Sequence, residues 1–186
     1  PIIRADAEST SGLRVDLAVF GLIPSWSKDR SIGRRTYNAR TETVAEKPSY
    51  RTAWRQRQFC LVPVERFFEP CWETGKAVPW SIHRQDGEPF TVAAIWDRWT
   101  ERATGEIVVS FSMLTINAEG HPIMGRFHRP GDERRSLVVV PPSRWTDWLS
   151  ATPDTVRAML AEMPVAEFTS ESVIGWSSAP AQASFL

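Results

Sequence analysis

The sequence predicts an α+β fold that is mainly β, with a curled antiparallel sheet forming a barrel-like core and a few peripheral helices. Three observations lead there. Six short β-rich segments dominate the centre of the 186-residue chain, turn signals separate them, and helical signals are confined to two places. A sheet of short strands with little helix to cover it protects its edges by curling on itself.

The strand candidates, in order, are residues 14–19, 59–68, 80–83, 90–96, 107–114 and 137–140. Asp86-Gly87 between the third and fourth, and Thr104-Gly105 between the fourth and fifth, are tight-hairpin signals, so these neighbours should pair antiparallel. The first helical stretch runs from Thr41 to Gln58, is rich in Glu, Lys and Arg, and is broken by Pro48. The second begins at Ser143, which can cap a helix carrying Trp145, Trp148 and Leu149 on one face; Pro153 and Asp154 can open another through Val156, Met159 and Leu160. There is no internal repeat and no low-complexity tract. Residues from about 170 to 186 read as a C-terminal tail, mostly small and polar after Trp176.

Apolar residues make up 42 % of the chain, enough for one domain over residues 1–186 with a core of its own. Formal net charge is zero, so attraction to a polyanion has to come from a local patch. Residues 1–60 carry 11 Lys and Arg against 6 Asp and Glu, whereas residues 145–186 carry 1 against 5, which puts phosphate contacts in the first third. Cys60 and Cys71 are too few for a disulfide framework and lack a CxxC partner or a His at metal-ligand spacing. A reducing cytoplasm, no metal and no cofactor are the expectation. No apolar run reaches the roughly 18 residues that span a bilayer, and Pro1-Ile2-Ile3-Arg4 has no signal-peptide layout. A start at Pro1 rather than Met is expected to reflect a segment removed or not displayed.

Chemistry-bearing residues fall in three stretches. Phe20 to Trp26 runs into Lys28, Arg30, Arg34 and Arg35 and then Tyr37-Asn38-Ala39-Arg40, so aromatic and basic residues alternate. Single-stranded nucleic acid binds where cations track phosphates and flat rings accept unstacked bases. A solvated basic loop with Trp26 anchored in the core has the same composition. Next, Cys60 to Glu69 is an apolar strand ending in a carboxylate beside Phe67 and Phe68, a setting in which desolvation can bring a Glu near neutral pH. A strand-end Glu turned to solvent or paired with Arg is the alternative. Finally, His121 and His128 flank Pro122 to Phe127 in a turn-rich, charged loop, each a plausible acid or base or else inert, while His83 within a strand reads as structural. Both cysteines read as packing residues.

In order and spacing these stretches resemble the SOS response-associated peptidase (SRAP) family. The carriers are Gly21-Leu22-Ile23-Pro24-Ser25-Trp26, Asn38-Ala39-Arg40-Thr41-Glu42-Thr43, Cys60-Leu61-Val62-Pro63 closing on Phe67-Phe68-Glu69, and Thr115, Asn117-Ala118, His121-Pro122 and Arg126-Phe127-His128 ahead of Leu137 to Val140. The resemblance covers about residues 14–168. It implies a protein that binds single-stranded DNA and cross-links abasic sites through an N-terminal Cys exposed by autoproteolytic removal of Met, forming a thiazolidine. It implies that Asn38 orients the reacting end, Glu69 moves protons at the α-amine, and His128 assists sugar opening and release. Arg40 would hold a DNA phosphate and Thr115 would hold the pocket together, while Arg35 and Trp26 are expected to contact DNA on the composition of the basic, aromatic loop. The protein would be a cytoplasmic monomer of bacterial or phage origin, nucleoid-associated when on DNA.

Three departures stand out. The family's Met-Cys-Gly-Arg start is not among these residues, so the nucleophile cannot be named and the chain as given is expected to be inert in cross-linking. Pro70-Cys71-Trp72 follows Glu69 where the family commonly has Trp directly. The family's C-terminal His-Pro segment is not evident around Val173 to Trp176, and the loop Arg129 to Arg135 is long. Two rivals remain open: a Cys-His hydrolase using Cys60 or Cys71 with His128, and a non-enzymatic single-strand binding module.

Overall fold

A computed structural model describes residues 1–173 and the short strand Ser184–Phe185. Its architecture is mostly strand, curled into a half-barrel with few helices. The strands are β1 (Ile2–Ala5), β2 (Leu13–Asp16), β3 (Val19–Phe20), β4 (Asn38–Arg40), β5 (Phe59–Cys71), β6 (Val78–Arg84), β7 (Phe90–Thr100), β8 (Ile107–Asn117), β9 (Arg135–Leu137), β10 (Phe168–Ser172) and β11 (Ser184–Phe185). One path through the sheet runs β10-β6-β5-β7-β8-β3, and the hairpin pairs β5–β6 and β7–β8 are antiparallel; the hairpin expected at Asp86-Gly87 does not form, because β6 and β7 lie on opposite sides of β5. Two short strands, β3 and β4, join β8 in parallel.

The central strands are apolar on both faces. Along β5, Cys60, Val62 and Val64 enter one core with Phe67, Phe90, Phe111 and Phe127, while Phe59 and Leu61 enter a second with Trp54, Ala93, Leu114 and Trp148. Period-two alternation therefore feeds two cores, which is why the sequence shows continuous apolar runs instead of a half-polar stripe. The second core is closed by helices α1 (Arg51–Arg55), α2 (Trp145–Ser150) and α3 (Pro153–Arg157). Trp148 is fully buried there and its indole N–H donates to the Cys60 carbonyl at 3.0 Å, tying α2 to β5.

Several expected elements differ in extent. Of the stretch 41–58 only Arg51–Arg55 is α-helical; Pro48 has no N–H to give, and the chain makes turns until Arg51 N–H reaches the Lys47 carbonyl. Ser143 does not cap α2: it lies in the 3-10 turn Pro142–Arg144 that Pro141-Pro142 starts, and α2 follows with no side-chain cap. Thr152 is the capping residue of α3, in a reciprocal pair with Thr155 and with Pro153 in the first turn as expected. Met159 and Leu160 lie beyond α3 but still pack on the second core. The chain stays in the sheet through Ser172, paired with Trp80. The expected tail beyond Val173, and most of the Val173 to Trp176 stretch, lie outside the described residues apart from β11.

One irregularity makes the site possible. Pairing between β7 and β8 stops at Ala94–Met113, and residues 135–140 take over: Leu137 pairs with Thr115 of β8, then Val139 bridges Val92 of β7. The expected strand 137–140 is thus split between two neighbours. Where β8 parts from β7 it carries β4 as well, so Asn38, Thr115 and Arg135 meet at one edge. The approach to β4 is fixed by Gly21. Its φ is +105° and a Cβ there would sit 2.1 Å from the Gly33 carbonyl oxygen, so the loop carrying Trp26 and the turn carrying Arg34 and Arg35 touch backbone to backbone. Gly21→Ala should destabilise the protein by more than about 1 kcal/mol in urea unfolding, since both the backbone conformation and the space are wrong for a side chain. An unchanged midpoint would show that this contact is not a constraint.

Candidate functional site

The end of β5 projects beyond the apolar core, and its last residues form the base of a site. Cys71 bridges Phe127, and the His128 N–H donates to the Pro70 carbonyl at 3.2 Å. Phe127 is fully buried against Trp80. His128 then takes φ +72°, a left-handed conformation uncommon outside Gly, which turns the chain sharply at the point where it meets β5. The result is that His128 Nε2 lies 3.9 Å from Glu69 Oε2, a span that one water or a small reacting group can bridge.

The two groups are shifted in opposite directions by the same cause. Burial pushes the Glu69 carboxyl up from 4.5 to about 7, although 26 % of the side chain remains exposed on the cleft side. Burial, reinforced by the nearby Arg134 and Arg135 charges, holds His128 below its ordinary 6.5. At neutral pH Glu69 is divided between its two protonation states and His128 is a neutral base. Such a pair can both give and accept protons.

Glu69 and His128 face a cleft of about 420 Å³ whose other walls include Arg35, Asn38, Arg40, Thr115 and Arg135. Six of the seven residues singled out for chemistry or DNA contact in the sequence therefore share one cleft. On β4 the alternation is decisive: Ala39 is buried, and Asn38 and Arg40 on the other face turn to the cleft. Thr41 pins the turn after β4, its N–H and hydroxyl both reaching the Thr115 carbonyl at 3.0 and 3.2 Å. Glu42 reaches back to grip Arg135 through both carboxylate oxygens, at 2.9 and 2.8 Å. The Asn-Ala-Arg-Thr-Glu block is thus a strand whose cleft-facing residues are held in place by the residues that follow it.

Trp26 does not line this cleft. It is 52 % exposed, which overturns the option of a core anchor, and its indole N–H donates to the Pro48 carbonyl at 3.3 Å. Pro48, with Lys47 and Tyr50, borders a second recess of about 480 Å³ that shares Arg35, Asn38 and Arg40 with the first. The loop is held from below, where Asp97 accepts from the Ser25 N–H and Trp99 donates to the Ser27 carbonyl. A basic, partly aromatic path therefore leads from Trp26 past Arg35 and Arg40 to Glu69 and His128.

The histidines separate. His121 is buried, accepts two backbone N–H groups at Nδ1 and meets the Met163 carbonyl at Nε2, 2.7 Å away, so both ring nitrogens are occupied and its role is structural. His83 lies in β6 as expected. Cys60 is fully buried with its thiol pushed well up by burial, and Cys71 is buried too. A nucleophilic thiol needs the reverse, an accessible group of lowered pKa. Sequence reasoning missed Arg135 and Ser136 as cleft residues. Glu42 was the available signal for Arg135, since a carboxylate fixed beside a cationic cleft needs a partner.

Comparison with known proteins places the chain in a family. The family model for "SOS response associated peptidase (SRAP)" matches residues 1–175. The chain belongs to this family. It is 27 % identical over 164 residues to the abasic site processing protein YoaM of Bacillus subtilis, covering 85 % of this chain and 67 % of that one. It is 28 % identical to YoqW of Bacillus phage SPbeta, spanning 61 % of that protein's length, and 25 % identical to chicken HMCES, spanning 40 %; both carry the same description. In structure this SRAP chain is similar to a protein from Bordetella bronchiseptica, with a TM-score of 0.81, 32 % identity, and 92 % of this chain and 82 % of that one covered. A Bacteroides thetaiotaomicron protein gives a TM-score of 0.78 at 25 % identity, with coverage of 93 % and 73 %. Among the described residues, no helix is long and apolar enough to cross a membrane, and no cluster of His, Cys, Asp and Glu is suited to a metal.

The raised Glu69 value has a thermodynamic consequence with a definite sign. The folded state binds the Glu69 proton more tightly than the unfolded state, so the stabilisation is complete below pH 4.5 and is lost as pH rises to about 7. Glu69→Gln should remove this dependence, so that its stability relative to the parent protein rises across that window in urea unfolding at stepped pH. Parallel curves for the two proteins would mean Glu69 is solvated.

Proposed function

We propose that this protein binds single-stranded DNA and processes abasic sites by forming a covalent cross-link, with Glu69, His128 and Asn38 as the reacting-centre residues and Arg40, Arg35 and Trp26 along the strand's path. The observation that carries the reading is the juxtaposition of Glu69, near neutrality, with neutral His128 in a cleft lined by arginines. The descriptions of the family relatives support abasic sites as the lesion. In this reading the nucleophile is the N-terminal Cys that the family resemblance implies, exposed when the initiator Met is removed by the same site; Cys60 and Cys71 are buried and unsuited to that role.

The chemistry balances with these groups. An open abasic sugar presents an aldehyde. The α-amine attacks its carbon, and after proton transfers water leaves to give an imine; the Cys sulfur then bonds to the imine carbon and its proton passes to the nitrogen, closing a thiazolidine. Glu69 takes a proton from the ammonium and returns one to the departing hydroxyl, a role that requires a pKa near 7. His128 takes the sugar C1 hydroxyl proton and passes it to the ring oxygen as the C1–oxygen bond breaks, leaving an aldehyde and a hydroxyl, and the same transfer runs backwards on reversal. The Asn38 side chain presents one donor and one acceptor to the amine and the aldehyde oxygen. Removal of Met by a Cys and Glu69 is hydrolysis of one peptide bond, which is the sense in which the family name fits.

The test is intact mass spectrometry of the full protein with its native start, before and after incubation with a single-stranded oligonucleotide containing one abasic site. Loss of Met and a denaturation-resistant adduct are expected. Glu69→Ala should slow adduct formation by about 100-fold or more, in line with loss of a general acid–base group, and His128→Ala should slow formation or reversal. Retained Met and reversible binding alone would favour the plain single-strand binding module instead.

A further inference from the structure

Two of the arginines lining the cleft, Arg40 and Arg135, already hold an anion, and it belongs to the protein. Glu133, on the exposed loop between Arg129 and Arg135, sends one carboxylate oxygen to Arg40 Nη1 at 2.6 Å and the other to Arg135 Nη1 at 2.6 Å and Asn117 Nδ2 at 3.4 Å. Three donors from three strands thus converge on one carboxylate. Glu133 is held below its ordinary carboxylate value, first by its hydrogen bond to Arg135, and stays charged at neutral pH. The geometry points to Glu133 as an internal stand-in for a DNA phosphodiester: Arg40, Arg135 and Asn117 form a phosphate position, and a strand entering the cleft must displace Glu133 from it. This rests on the DNA reading above and deepens it, by naming a residue that sets how strongly the site discriminates among strands.

The two arginines differ in a way that makes displacement workable. Arg135 is only 10 % exposed and keeps Glu42 and the Thr115 carbonyl at 2.5 Å when Glu133 leaves, so its guanidinium stays aimed. Arg40 is 57 % exposed, and its one ion-pair partner among the described residues is Glu133. The loop that must move is built for it. Arg129, Pro130, Gly131 and Asp132 are exposed, and Gly131 sits at φ +90°. An exposed ion pair is weak, so Glu133 imposes a modest penalty that a strand making further contacts overcomes and a casual phosphate does not. Electrostatics fixes the sign of the salt response as well. In the parent protein Arg40 exchanges one anion for another, whereas without Glu133 it sheds counterions on binding.

Glu133→Gln retains the size of the side chain but removes its charge and turns one accepting oxygen into a donating amide, which leaves Arg40 free. Two readouts are paired on full-length protein: inorganic phosphate titrated against the Arg40 and Arg135 guanidinium NMR signals, and binding of an intact single-stranded oligonucleotide at several salt concentrations. Glu133→Gln should tighten phosphate binding severalfold, up to about 5-fold. It should also steepen the slope of log affinity against log salt by about 0.7, the value for one phosphate on a single strand. Both gains should vanish in Glu133→Gln combined with Arg40→Gln. Equal phosphate affinity in parent and variant, or a gain that survives loss of Arg40, would overturn the proposal. If phosphate binding behaved as stated but neither protein bound the oligonucleotide, the anion position would stand and the DNA reading would fall.

Discussion

The site depends on one junction, where the far end of β5 meets the turn after Phe127. Cys71 bridges Phe127, Pro70 accepts the His128 N–H, and Phe127 is sealed into the core against Trp80. Because both strand and turn are anchored in the same packed core, Glu69 and His128 have little freedom to separate or to swing into water. Their desolvation follows from that confinement, and so do their opposite shifts. A proton-sharing pair at neutral pH is thus a product of packing: no charged partner lies among the causes of Glu69's shift, only burial.

The second constraint is the divergence of β7 and β8. A closed antiparallel ladder would have left no room beside Glu69. By ending at Ala94–Met113 it admits residues 135–140 on one side and β4 on the other, and the edge created there receives Asn38, Arg40, Thr115 and Arg135. Arg135 is the bracket of this edge, tied to Glu42 after β4 and to Thr115 on β8. Side chains that would be ordinary surface cations elsewhere become a directed set because three strands hold them from different angles.

Much of this was legible in the sequence for identifiable physical reasons. The mainly β fold followed from short apolar segments separated by turn signals: Thr104-Gly105 does mark the β7–β8 hairpin, whereas Asp86-Gly87 joins β6 to β7, which do not pair because β5 lies between them. Asn38, Arg40, Glu69 and His128 were recoverable because their blocks are short and local, each fixed by its own strand or turn. What was not legible was long-range or context-dependent. Arg135 and Glu133 read as members of a charged loop, since their partners Glu42 and Arg40 lie 93 residues away. The stretch 41–58 looked helical by composition, but Pro48 and the contacts of β4 with β8 keep its first part in turns. His121 and His128 were indistinguishable as residues in the same loop; only the Met163 carbonyl and two backbone donors show that His121 is spoken for. Trp26 had been open between core and surface, and the Pro48 carbonyl settles it at the surface.

The central claim is that confinement at the end of β5 places the Glu69 carboxyl near neutrality. Its most direct test is a carbon-detected NMR titration of the Glu69 side-chain carboxyl between pH 3 and 9. A midpoint near 7 is the expected result. A midpoint near 4.5 would mean that the carboxyl is solvated, and would remove the proton-transfer role on which the reading of this cleft is built.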